Sequence, residues 1–393
     1  MDLLKDEILF LFFEGIKAAS PEVLFSDYLR EQNLIVTKLR DQSKKQYVFA
    51  LGKAAYSMAI AFQRHFPVNG GYILTKYGYL PEGKLEQKED SIWKYREASH
   101  PIPDENSIIC ANEVVTHLKQ LGKETRLIVL LSGGGSSLFE IPKDGYSIND
   151  LIQIQEQLLN SGKPIQVINE ERKKYSEVKG GKLLKNLNPD LEVFTYVISD
   201  VLGDDPNSIA SAPTYPSNNY FIIGNITRSL KKIITLAKEK GFETKLLSDS
   251  WGGTTEETAI LFEKEFLSAL DSPKKQLILL GGEMVCPVYG NGIGGRNQET
   301  ALRISLLFQQ HKTNRKWMFL SGGTDGTDGP TDATGGIVSN ESFSLMEEKG
   351  WNPRKELFNS NSYPLLKDVN GLVFTGPTGT NVNDIVLLLF EAS

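Results

Sequence analysis

The chain has 393 residues, 40% hydrophobic and 23% charged, the profile of a globular protein with material for two cores. A formal net charge of -6 and a pI near 5.5 exclude the broad basic face that nucleic acid requires, but not a locally basic pocket for a small anion. Two cysteines, Cys110 and Cys286, are too few for a disulfide framework or a four-ligand zinc site, and the four histidines lack metal-binding spacing.

At the N-terminus, Asp2, Asp6 and Glu7 precede a short apolar run. The spacing predicts an amphipathic helix rather than a signal peptide, and no stretch approaches the ~18 apolar residues of a membrane span. A cytoplasmic protein without membrane contact is expected. Short runs apolar on both faces then recur: YVFAL, GYILT, LIVLL, VFTYVI, LILL, WMFL and LVFT. They predict buried parallel strands. Between them, Ser147 and Asp150 open a helix that places Leu151, Ile154 and Leu158 on one face and stops near Gly162. Thr254 and Glu257 open another, with Ala259, Phe262 and Phe266 inward. Strand and helix in alternation predict an α/β fold with a mostly parallel sheet. A domain boundary is expected between Pro216 and Lys275, where the pattern is interrupted.

Polar residues gather in the glycine-rich loops behind these strands. LSGGGSS sets Ser132, Gly133, Gly134, Gly135 and Ser136 between a strand and a helix, where backbone N–H groups approach a phosphate closely. ALGKAA sets Lys53 at a helix start directly after a strand, without Walker A spacing. VKGGKLL offers Lys179, Gly180 and Gly181 at another helix start. Asp200, with Asp204 and Asp205, follows a strand directly, and Asp325, Asp328 and Asp332 lie among glycines in GTDGTDGPTDA. Two acidic strand ends suit a nucleotide with its Mg²⁺, which one or two carboxylates hold together with substrate phosphates. The alternative is a set of Asx turns capping the loops. Gly290, Gly292 and Gly295 spell a formal G-x-G-x-x-G, yet no acid ends the next strand to hold a ribose. Arg296, beginning the following helix, reads as a clamp for a phosphate or carboxylate. Anion cradles, basic clamps and strand-end carboxylates predict phosphoryl transfer to a small acid without a P-loop.

Nine motifs in order carry a resemblance: GKAA at Lys53, SHPIPDE at Ser99, SGGGSSL at Ser132, VKGGKL at Val178, SDVLGDD at Ser199, IASAPT at Ile209, GIGGRNQE at Gly292, GTDGTDGPTDA at Gly323 and TGPTGTNVND at Thr375. Together they resemble the bacterial and archaeal glycerate 2-kinase family with its MOFRL-type C-terminal domain. The resemblance implies ATP- and Mg²⁺-dependent phosphorylation of D-glycerate, or a similar hydroxy acid, at the 2-hydroxyl. It implies a two-domain α/β protein, monomer or homodimer. Residues 1–245 would form a Rossmann-like N-terminal domain and 246–393 a smaller MOFRL-type α/β domain, with the active site between them. It implies a catalytic lysine at Lys53 and an active-site arginine at Arg296. Asp200, Asp325 and Asp328 are expected at the metal. Asn297, Thr378 and Asn381 join Ser132–Ser136 and Lys179–Gly181 as expected substrate or phosphate contacts. The chain departs from the family pattern at Ala212, where glycine is usual, at Lys174, where histidine is usual, and after Gly281–Glu283, where threonines are usual. The alternatives are an NAD(P)H-dependent hydroxypyruvate reductase and a non-catalytic binder of sugar acids or nucleotides.

Overall fold

The structure, a computed structural model, describes residues 3–31, 33–85, 91–160 and 165–392. It divides into two compact units. One comprises residues 20–225 with 379–381, the other residues 1–19, 226–378 and 382–393.

The sheet of the first unit has six strands: β1 (Lys45–Leu51), β2 (Gly70–Lys76), β3 (Trp93–Ala98), β4 (Thr125–Leu131), β5 (Glu192–Ile198) and β6 (Tyr220–Gly224). Every pairing is parallel, in the order β3-β2-β1-β4-β5-β6. Parallel neighbours need long crossovers, and helices supply those from β1 to β2, from β3 to β4 and from β4 to β5. The helix Glu105–Leu118 buries Cys110, Ala111, Val114 and Leu118 against Phe49, Tyr72 and Val129 of the strands. Connections from β1 run to one side of the sheet, and β4 restarts it on the other. The crevice beyond the carboxyl ends of β1 and β4 is where open α/β sheets bind ligands. Leu51 pairs with Leu131, so the two strands end level.

The second sheet contains β7 (Glu243–Trp251), β8 (Gln276–Gly282), β9 (Trp317–Gly323), β10 (Gly335–Ser339), β11 (Leu372–Val373) and β12 (Asp384–Phe390), in the order β11-β10-β9-β12-β8-β7. Here the expectation of a mostly parallel sheet fails. Only β7 and β8 pair in parallel, because β12 inserts antiparallel between β8 and β9. β12 is buried throughout and was absent from the strands read in the sequence, whereas LVFT supplies only the two residues of β11. Asp384 heads β12 opposite Gly282 and Gly323, at the carboxyl ends of β8 and β9.

The N-terminal segment forms the helix Leu3–Ala18, which buries Leu4, Ile8, Leu11 and Phe12. It packs on the second sheet. A Cβ on Gly15 would lie 2.5 Å from Ile233, and one on Gly322 would lie 2.5 Å from the Phe12 ring. The helix Ile226–Glu239 packs there too, so a single cut between 245 and 246 does not follow the two units. Both capping boxes form, at Ser147–Asp150 and at Thr254–Glu257. The helix stop at Gly162 lies outside the described residues. Both cysteines are free, and among the described residues no helix is long and apolar enough to cross a membrane.

Candidate active site

In the unit built on β1–β6, β1 leads into Gly52 and Lys53, β4 into residues 132–137, and β5 into Ser199 and Asp200. Three neighbouring strand ends thus deliver their loops to one edge of the sheet. The Lys53 N–H donates to the Gly133 carbonyl at 2.8 Å and ties the first two loops together. Gly133 admits no side chain: a Cβ would lie 1.7 Å from Asp200 Oδ2 and 2.6 Å from Asn381 Nδ2. That amide donates to Asp200 Oδ2 at 3.0 Å. Gly134, left-handed at φ 84°, lies against His100 and the Lys53 stem, at 3.0 and 3.3 Å from the place of a Cβ. Lys53, His100, Asp200 and Asn381 therefore surround two glycines beside the switch point. A cation, a carboxylate and a glycine loop in that position suit a phosphate-bearing ligand.

Other residues expected at the ligand belong instead to the scaffold of this unit. Ser132 is fully buried, and its hydroxyl accepts from the Ala54 N–H at 3.0 Å. Lys179 is 3% exposed and ion-paired with Glu140. Burial lowers its pKa against the pull of that carboxylate. The N–H groups of Gly180 and Gly181 donate to the carbonyls of Ser211 and Ala212, at 2.9 and 2.7 Å. The Lys179 ammonium is engaged by Glu140, and both glycine N–H groups are bonded within the scaffold. Asp205 accepts from the Asn207 N–H and the Ser208 hydroxyl, an Asx turn.

In the other unit the aspartate loop divides in the same way. Asp325 is half-buried, and its Oδ1 accepts from the N–H and hydroxyl of Thr327 at 3.1 and 3.2 Å. Asp328 is buried at the start of the helix Arg296–Phe308, where it accepts from the N–H groups of Asn297 and Gln298 at 3.1 and 2.9 Å. It is a helix cap rather than an open metal ligand. Burial raises its pKa to about 6, against the effect of those N–H bonds. Asn297 is fully buried too, donating to Asp328 and Asp384 and accepting from the Ser321 hydroxyl. The Thr378 hydroxyl donates to the Thr324 carbonyl, and Asp332 accepts from the Tyr363 hydroxyl, each at 2.6 Å.

Arg296 is about one-third exposed and grips Asp384 bidentately, Nε to Oδ2 at 2.7 Å and Nη2 to Oδ1 at 3.1 Å; Nη1 reaches Glu283 at 3.2 Å. Burial alone would lower its pKa, but the carboxylates around it, Asp384 foremost and then Glu283 and Asp328, together raise it. The formal G-x-G-x-x-G has a packing explanation. Residues 283–295 separate β8 from the helix, and Cβ atoms on Gly290 and Gly292 would lie 2.3 and 2.4 Å from Asn359 and Asn361. A dinucleotide fingerprint needs a strand, a tight turn and a helix in direct succession. Among the described residues, no group of three or more His, Cys, Asp and Glu side chains is placed to hold a metal ion.

Two residues were missed as site components. His100 was visible only as part of SHPIPDE, and nothing local relates it to Gly134. Asp384 stands immediately before the apolar run IVLLLF, a recognisable strand whose first residue could have been placed at a strand terminus.

Comparison with known proteins extends these observations. Residues 7–233 match the family described as a domain of unknown function, DUF4147, and residues 276–384 match the MOFRL family. The chain is 35% identical to a D-glycerate 2-kinase of Thermotoga maritima across 95% of either chain. It is 32% identical to a putative hydroxypyruvate reductase of Agrobacterium vitis, across 87% of this chain and 98% of that one. A crystal structure of glycerate kinase from Thermotoga maritima matches with a TM-score of 0.85 at 33% identity, covering 99% of this chain and 100% of the other. A likeness that runs through both sheets and nearly every residue is specific: the chain belongs to the glycerate 2-kinase family and is a phosphotransferase.

Proposed function

We propose that the chain transfers the γ-phosphoryl group of ATP to the 2-hydroxyl of D-glycerate, giving 2-phosphoglycerate and ADP. The observation that carries this reading is the meeting of Lys53, Gly133, Gly134 and Asp200 at the ends of β1, β4 and β5. In the reaction the 2-hydroxyl oxygen bonds to the γ phosphorus and the bond from that phosphorus to the β–γ bridging oxygen breaks. ADP leaves with the electron pair, and the hydroxyl proton passes to solvent. Protein catalysis of such a transfer consists mostly of positioning and charge neutralisation. Lys53 neutralises the transferring group, and the Gly133–Gly135 backbone holds phosphate oxygens. Arg296, oriented by Asp384, presents the solvent side of its guanidinium to an anion.

Magnesium fits this chain in the way it ordinarily binds, through one or two carboxylates and substrate phosphates. Asp200, half-buried directly after β5 and beside the glycine loop, would hold it together with the phosphates; Asp328, engaged by the helix start, would not. The ion supplies neutralisation of phosphate charge.

The test is a coupled assay for ADP with ATP, Mg²⁺ and D-glycerate, beside an assay for NAD(P)H oxidation with hydroxypyruvate. Phosphorus NMR of the product separates the 2-phosphate from the 3-phosphate. ADP release with a 2-phosphorylated product is expected. Cofactor oxidation without ADP release would replace the kinase by a reductase. Lys53→Ala is expected to lower kcat and kcat/KM together by about 100-fold or more, the signature of an interaction made in the transition state.

A further inference from the structure

Arg172 has no part in the site described above. It lies in the last turn of the helix Ile165–Lys173 and is half-buried. Among the described residues no carboxylate is within ion-pairing distance of it. Its hydrogen bond runs from Nη2 to the Ser136 hydroxyl, at 3.2 Å, and leaves guanidinium donors over. Ser136 Oγ lies 2.7 Å from Ser211 Oγ, so the three polar groups form a chain. Glu140 acts on the guanidinium through its charge, but its carboxylate is bonded to Lys179. Arg172 and Lys179 carry two positive charges and Glu140 one negative charge, so the cluster holds one uncompensated positive charge. Burial, by desolvating the guanidinium, lowers the Arg172 pKa, with Glu140 opposing. A desolvated cation with unused donors is costly unless an anion completes it.

The backbone that carries Ser211 is a second, independent observation. Ala210, Ser211 and Ala212 are consecutive non-glycine residues in the left-handed region, with φ of 48°, 59° and 57°. Such a conformation is disfavoured for a residue with a side chain and persists only where its surroundings impose it. The Gly180 and Gly181 N–H groups do so by donating to the Ser211 and Ala212 carbonyls. The strained turn holds one hydroxyl against Ser136. Backbone strain of this kind collects at ligand clamps.

We infer that Arg172, with the hydroxyls of Ser136 and Ser211, is the subsite for the carboxylate of the acid substrate. The inference rests on the reading of the protein as a kinase of a small hydroxy acid. One uncompensated positive charge matches a carboxylate; a phosphate dianion would leave a buried net negative charge. The planar fork of arginine also matches two carboxylate oxygens side by side. Ser136 belongs to the same loop as Gly133 and Gly134. A carboxylate held there keeps the hydroxyl of the neighbouring carbon within the span of that loop.

Kinetics of wild type, Arg172→Gln, Arg172→Lys and Ser136→Ala test this, with D-glycerate and its neutral amide as acceptors. Arg172→Gln is expected to raise KM for D-glycerate about 10- to 100-fold, Arg172→Lys nearly as much, and Ser136→Ala several-fold. KM for ATP and kcat/KM for the amide should stay within about twofold, since neither interaction involves the lost charge. A rise in KM for ATP with unchanged KM for D-glycerate would reassign the cluster to nucleotide phosphate. No change in either would make it structural. If Arg172→Gln fails to fold, Ser136→Ala decides by the same pattern in correctly melting protein. Thermal shift with D-glycerate, glycolate and lactate, in the presence of ADP, separates the subsite from the glycerate reading. Stabilisation of wild type that disappears in the variants upholds the subsite even where D-glycerate is not phosphorylated. Stabilisation that persists in them, or none in wild type, overturns it.

Discussion

At the scale of single residues, the expected ligand contacts separate into groups that meet solvent and groups that brace them. Arg296 does both. Its partner Asp384 is completely buried, and among the described residues Arg296 is its one charge-bearing hydrogen-bond partner. Arg296→Ala therefore leaves a buried uncompensated carboxylate and should cost about 3–5 kcal/mol of stability along with activity. Arg296→Lys should recover part of the melting temperature but little of kcat/KM, because an ammonium cannot make the bidentate grip. Near-normal kinetics in the lysine variant would show that orientation by Asp384 is immaterial. Asp328 makes a prediction with a sign. Its folded pKa of about 6 lies above that of an unfolded aspartate, so the folded state retains a proton the unfolded chain has lost. The resulting stability is fully present below about pH 4 and is lost as pH rises through 6. Asp328→Asn should be less stable by about 1 kcal/mol for the weakened cap. The difference between wild type and variant should narrow as pH rises from about 4 to about 6.5, which melting curves across that range would measure. A constant difference would mean that Asp328 is ionised throughout.

At the scale of elements, loops built on glycine fix the position of the groups around them. The place of a Cβ on Gly133 is filled by the Asp200 carboxylate, so Gly133→Ala must displace one or the other. A misplacement on the order of 1 Å costs about 100-fold in rate, so kcat should fall by that order while the far-ultraviolet circular dichroism is unchanged. Retained kcat would show that Asp200 need not sit where it does. The Thr254–Glu257 capping box is the contrasting case. Thr254→Ala removes one cap and should lower stability by about 1 kcal/mol with kcat unaffected. Both features were legible in the sequence, because glycine runs and S/T-x-x-E spacing are local. The difference between them was not. Nothing within a few residues says that one glycine faces a carboxylate from another strand end and that another, Gly181, lies against Tyr215 of a distant turn.

At the scale of the whole molecule, the second sheet recruits chain from both ends. The helix Leu3–Ala18 and the helix Ile226–Glu239 belong to its unit, and Phe12 is completely buried there. A fragment of residues 246–393 lacks both helices and the first residues of β7. It should remain unfolded or aggregate, whereas restoring residues 226–245 and supplying 1–19 through a linker should give a cooperative melt. A fragment of 246–393 that folds by itself would refute the recruitment. In the full chain, Phe12→Ala should cost about 3–5 kcal/mol, the usual loss for a buried phenylalanine.

Local pattern determined what depends on neighbours within about four residues. The buried strands around Phe49, Val129 and Phe319 announce themselves as apolar runs, the capped helices by spacing, and the glycine loops by composition. The ordered motifs built from these features carried the family. Edge strands such as Trp93–Ala98 and Glu243–Trp251 escaped because a strand that meets solvent carries charged residues and loses the apolar signal. Tertiary structure alone decided which polar residues are engaged by the scaffold and which gather beside the glycine loop at the strand ends. Lys179, Asn297 and Asp328 have the same residue types and glycine-rich settings as Lys53, Asn381 and Asp200. Their roles differ because Glu140, Asp384 and the start of a helix lie beside them in space. A side chain's hydrogen-bond partner is set by which strands become neighbours, and Asn381 reaches Asp200 across 181 residues of sequence that no local periodicity can bridge.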